Sequence, residues 1–126
     1  MPADRGSWDT SRLGAPADRT AWRYGTAGRV DEGCRVDCWL AGDATGIRQA
    51  RFEVFADAET LRAAAWLAGW LEGRTVSAAA SVTGRWLADT LGLADESRTG
   101  ALCIEDAMRS ALTGWSEQAN GASDEH

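Results

Sequence analysis

Ile47-Arg48-Gln49-Ala50-Arg51-Phe52-Glu53-Val54-Phe55-Ala56-Asp57-Ala58-Glu59-Thr60-Leu61 is the stretch in which the hydrophobic period changes. Up to Phe55 the residues alternate, with Ala50, Phe52 and Val54 on one side and Arg51 and Glu53 on the other. Period two is the repeat of a strand whose faces meet different surroundings. From Asp57 the repeat lengthens, and Leu61, Ala64, Ala65, Ala68 and Leu71 form the stripe of a helix lying on a sheet. Asp57 is a natural N-cap, because its carboxylate can accept from the free amides of the first turn. Gly73 is a natural stop, since glycine enters the left-handed region without steric cost. The pattern predicts a helix from Asp57 or Ala58 through about Glu72.

Upstream, Cys34, Val36 and Cys38 alternate with Arg35, Asp37 and Trp39, so the two cysteines share one face of a strand. Gly42-Asp43-Ala44-Thr45-Gly46 carries turn chemistry, and two alternating runs around it predict an antiparallel hairpin. Residues 1–28 show no period and read as a mobile arm with a short strand near Trp22–Tyr24; Trp8 and Trp22 are expected to tuck onto the domain. Downstream, Ser77 to Ala80 predicts a helical turn, and Thr83 or Gly84 opens a helix that stops at Gly92. Residues 94–99 are loop-like. A last helix covers Gly100 to about Trp115, with Leu102, Cys103, Ala107, Met108, Ala111 and Leu112 as its apolar stripe. Trp66 and Trp70, one turn apart, read as a stacked core pair. Strands followed by helices give an α+β fold, a small antiparallel sheet packed on one face by helices. The expected organisation is an arm (1–28), one domain (29–116) and a flexible polar tail (117–126).

Composition removes several function classes. A net charge of −6, with arginine as the only basic side chain besides one histidine, disfavours a nucleic-acid partner. No apolar run is long enough for a membrane span. Met1-Pro2-Ala3-Asp4-Arg5 leads into no apolar segment, and three cysteines are an odd number, so reduced thiols and a cytoplasmic setting are expected. The single histidine is His126, which leaves no histidine for a catalytic or zinc centre inside the fold. Without a nucleophile set or phosphate loop, the expectation is a non-enzyme.

Several strings, in collinear order, resemble the amino-terminal IscU/NifU family, the U-type iron–sulfur cluster scaffolds. These are Ala50-Arg51-Phe52 with an aromatic three residues on, Trp70-Leu71-Glu72-Gly73-Arg74-Thr75, Leu87-Ala88-Asp89-Thr90-Leu91-Gly92-Leu93, and Glu105-Asp106-Ala107. The pattern can be laid on Ala50 to Leu112 without a gap. In that family a [2Fe–2S] cluster sits on three cysteines, soft anionic ligands suited to iron. The resemblance puts the first ligand position on Cys34, the second on Asp57 and the third on Gly100. The family's acidic residue after the first cysteine falls on Val36, with Asp37 beside it; the histidine before the third falls on Thr99; the chaperone-recognition loop is replaced by Ala94-Asp95-Glu96-Ser97.

The resemblance therefore implies a degenerate paralogue that keeps the fold, lacks two of three cysteine ligands, and acts by protein interaction with a cysteine desulfurase or an iron–sulfur client. The alternative is a working cluster or iron/sulfur carrier with altered ligation through Cys34 and Asp57. Expected cofactors are accordingly none or weakly bound iron, with [2Fe–2S] only if a partner completes the ligation. Cys38 is too far along the strand to share a site with Cys34, and Cys103 reads as a small hydrophobe aimed at the core.

Overall fold

A computed structural model describes residues 10–124, with side chains through Thr113 and at Trp115. Trp8, read as part of the arm, lies outside the described residues. The chain order is β1 (Arg23–Arg29), β2 (Cys34–Asp43), β3 (Gly46–Phe55), then helices α1 (Ala58–Leu71), α2 (Val76–Ala80), α3 (Gly84–Leu91) and α4 (Arg98–Asp124). Short 3₁₀ turns at Val30–Glu32 and Asp95–Ser97 precede β2 and α4. The sheet is antiparallel in the order β1-β2-β3. The fold is α+β, as the change of period at Asp57 implies.

Alternation in β2 and β3 sends Val36, Cys38 and Leu40, with Ala50 and Phe52, to one face, where all are fully buried under the helices. Helix α1 lies against β3, and α4 runs across β1 and β2. Asp57 caps α1 by accepting from the Thr60 amide at 3.1 Å. Thr83 caps α3 through the Trp86 amide at 3.0 Å. Gly73 (φ +89°) and Gly92 (φ +65°) take the left-handed conformation at the ends of α1 and α3. Glu105 of α4 accepts from the Gly84 amide at 2.7 Å and pairs with Arg109, which ties the start of α3 to α4.

The structure corrects five expectations. The hairpin loop is two residues, not five: Asp43 pairs with Gly46, and the Asp43 carboxylate accepts from the Thr45 amide at 3.0 Å. The stretch read as an arm to residue 28 contains β1, which pairs with β2 along its whole length, from Arg23 opposite Leu40 to Arg29 opposite Cys34. Further back, Gly14 donates to Phe52 O at 2.7 Å and Phe52 donates to Arg12 O at 3.0 Å, so backbone bonding rather than a hydrophobic period holds this segment. Helix α4 continues to Asp124, past the expected end at Trp115 and into the stretch read as a tail. Its buried stripe is Ala101, Ile104, Ala107, Met108, Ala111, Leu112 and Trp115, while Leu102 is 52% exposed; in α1, Leu67 rather than Leu61 is buried. Trp66 and Trp70 do stack, 6.4 Å apart, but at the surface, and Trp86 of α3 closes a three-ring cluster with them.

The other sheet face is partly covered too. Trp39 is buried beneath Tyr24, 5.4 Å away, and the Arg19 guanidinium lies over its ring. Asp37 is also buried there, accepting from Tyr24 Oη at 2.7 Å and from Arg35 at 3.3 Å. No helix among the described residues is long and apolar enough to cross a membrane.

Helix α4 reaches β1 only because position 25 lacks a side chain: a Cβ on Gly25 would lie 2.2 Å from Ala107 O and 2.3 Å from Ala111 N. Gly69 in α1 is the contrasting case, its nearest neighbour a side-chain atom 3.8 Å away. Gly25→Ala is therefore expected to lower stability by roughly 1–3 kcal/mol. Gly69→Ala should raise it by about 0.5–1 kcal/mol through helix propensity. Urea denaturation of both variants checks the pair of signs.

Candidate functional site

One end of the sheet carries a cleft of about 350 Å³ whose lining includes Cys34, Asp57 and Gly100. Each comes from a different element. Cys34 opens β2, where Gly33, in the left-handed conformation (φ +87°), ends the preceding 3₁₀ turn. Asp57 is the N-cap of α1, and Gly100 lies in the first turn of α4. Residues 23 and 43 positions apart in sequence thus meet at one opening. Glu32 and Glu96 also line it, so the rim is acidic. Asp37 does not join: it points through the opposite sheet face to Tyr24 and Arg35.

The chemistry at each position can be read from its partners. Cys34 is half-buried, and burial pushes its thiol up to about 12, helped by the neighbouring Cys103 and by the Asp57 charge. With its thiol raised in this way, Cys34 is a slow nucleophile near neutral pH. Both Asp57 oxygens are engaged: Oδ1 accepts from the Thr60 amide, and Oδ2 accepts from the buried hydroxyl of Ser97. Partial desolvation would raise the Asp57 carboxyl, but the hydrogen bonds from Ser97 and Thr60 outweigh it and hold the group below the usual carboxylate value.

Gly100 is backed by Thr60. A Cβ built at position 100 would fall 2.1 Å from Thr60 Oγ1, 2.6 Å from Cγ2 and 2.9 Å from Cβ. Thr60 is 1% exposed, and its hydroxyl has no hydrogen-bond partner among the described residues. The space that a side chain at 100 would need is already filled.

These residues do not fit a [2Fe–2S] cluster. A seat of three soft thiolates is more than one thiol, one doubly hydrogen-bonded carboxylate and a glycine can offer. Among the described residues, no group of three or more His, Cys, Asp or Glu side chains is arranged to hold a metal ion.

Cys103 packs on the edge of the core, as its place in the apolar stripe implies, but it is half-buried and also near enough to Cys34 to raise that thiol, which the sequence reading did not show. The available signal was its place three residues after Gly100, on the same side of one helix. Ser97 gave no such signal, because its bond to Asp57 spans 40 residues. Cys38 is fully buried in the core, and burial raises its thiol strongly.

Among solved structures, a nitrogen-fixing NifU-like protein (N-terminal) from Brucella abortus is similar to this chain. It is 19% identical with a TM-score of 0.48, over 88% of this chain and 75% of that one. No family model matches the chain, and no curated protein matches it.

Two outcomes follow from these contacts. Gly100→Cys should cost roughly 1–3 kcal/mol, as overpacking does, and adding Thr60→Ala should recover part of that loss in the same denaturation assay. Asp57→Ala should cost about 1 kcal/mol at pH 7, the usual value of an N-cap. Because the folded carboxyl is depressed, its contribution is present above the unfolded pKa of about 3.9 and fades as pH falls through the folded value. The gap between native protein and Asp57→Ala should therefore narrow below about pH 4, which a series of melts across pH would show.

Proposed function

We propose that this chain is a relative of the U-type iron–sulfur scaffolds that has given up cluster ligation and works by protein interaction in iron–sulfur or sulfur-transfer machinery. The observation that carries the reading is the convergence of Cys34, Asp57 and Gly100 on one cleft. They were singled out by collinear resemblance alone, and unrelated positions would have no reason to meet. The residues found there favour interaction over cargo binding, since the thiol is held protonated, the carboxylate is engaged and the glycine is backed by Thr60. The partner class is a cysteine desulfurase or a client protein, meeting the end of the fold that bears the cleft. The role is non-catalytic.

A second reading has one specific observation behind it. Cys34 and Asp57 line the same cleft, whose rim Glu32 and Glu96 make acidic, and altered ligation through these two, completed by a partner's thiolate, would make the chain a cluster or iron/sulfur carrier.

Anaerobic incubation with ferrous iron and sulfide, followed by desalting and visible spectroscopy, separates the two. The expected product is colourless protein without retained iron. A stable brown holo-protein would overturn the first reading. Titration calorimetry with a purified cysteine desulfurase should then give a saturable isotherm; absence of heat at every concentration tried sinks the desulfurase partnership.

A further inference from the structure

We propose that Cys34 and Cys103 form an oxidisable dithiol that reacts with an organic disulfide and closes into an intramolecular disulfide. This does not depend on any relation to cluster scaffolds. It rests on how α4 lies along β2. Ala107, Ser110 and Ala111 of α4 press on Gly25, which is the register partner of Cys38. At its first turn the same helix lines the cleft beside Cys34 through Gly100. Cys103 stands between these two contacts, one turn beyond Gly100, and Cys34 and Cys103 both pack on the edge of the same core cluster. Their side chains are near enough for Cys103 to raise the Cys34 thiol. Cys38 is excluded from the pair, being fully buried and four residues, about 13 Å, farther along the strand.

The two sulfurs differ in access, which sets the order of events. Both cysteines are half-buried, but Cys34 lines the cleft and Cys103 is not among its lining residues. An incoming R–S–S–R meets Cys34, whose thiolate attacks one sulfur. The R–S–S–R bond breaks, one RS⁻ leaves, and it takes up the proton that Cys34 lost. The Cys103 sulfur, deprotonated in turn, then attacks the Cys34 side of the mixed disulfide. The second RS⁻ departs and takes that proton. Two protein thiols are oxidised to one disulfide, and one R–S–S–R is reduced to two RSH. Because burial keeps Cys34 protonated near neutrality, the first attack is slow there and the reaction is best run at mildly alkaline pH.

The test uses the full chain, fully reduced and desalted, then exposed to oxidised glutathione. Free thiols counted after denaturation should fall from three to one, and the intact mass should drop by two hydrogens with no glutathione retained. Tryptic mapping should join the Cys34 peptide to the Cys103 peptide. Cys103→Ser should trap one glutathione on Cys34, and Cys34→Ser should abolish the bridge. A bridge involving Cys38, a lasting glutathione adduct on the native protein, a covalent dimer, or three thiols remaining would each overturn the proposal. The native protein alone decides, so a variant that folds poorly does not blunt the result.

Discussion

Helix α4 meets its neighbours at glycines. It touches β1 at Gly25, where a Cβ would strike the backbone of Ala107 and Ala111. It meets α1 where its own Gly100 packs on Thr60, and α3 where Gly84 sits against Ala101 and Leu102. Each contact is a close approach of backbone that only the smallest residue permits. Close packing of this kind leaves little slack, so a change at one seat is felt at the others. The cleft is one product of that seating, since it opens where the start of α4, the start of α1 and the start of β2 are drawn together.

The same contact that closes α4 onto α1 governs what the cleft can hold. Thr60 occupies the space that a side chain at position 100 would need, and the Asp57 carboxylate is spent on the Thr60 amide and the Ser97 hydroxyl. Asp57 and Gly100 thus serve this structure as a cap and a packing position.

Much of the fold was legible because it rests on local chemistry. The change of period at Asp57, the caps at Asp57 and Thr83, and the left-handed Gly73 and Gly92 each depend on a few adjacent residues. Strand β1 was mostly hidden, since Gly25, Ala27 and Gly28 carry no hydrophobic period and its stability comes from pairing with β2. The exposure of Leu102 and the surface position of the Trp66, Trp70 and Trp86 cluster depend on how helices are placed against one another, which no single segment encodes. At the cleft, Cys34, Asp57 and Gly100 were reachable through collinear resemblance. The roles of Thr60, Ser97 and Cys103 were not, because each is defined by a partner far away in sequence.

Supplying the cysteines that the resemblance implies is the most direct test of the proposed relation to cluster scaffolds. The triple variant Asp57→Cys, Gly100→Cys, Thr60→Ala supplies two thiols beside Cys34 and clears the side chain that fills position 100. After anaerobic reconstitution with iron and sulfide, the folded variant should show the visible charge-transfer absorption of a bound [2Fe–2S] cluster, with iron and sulfide retained in equal amounts. A variant that is folded by circular dichroism yet stays colourless and iron-free would contradict the descent of this cleft from a cluster site.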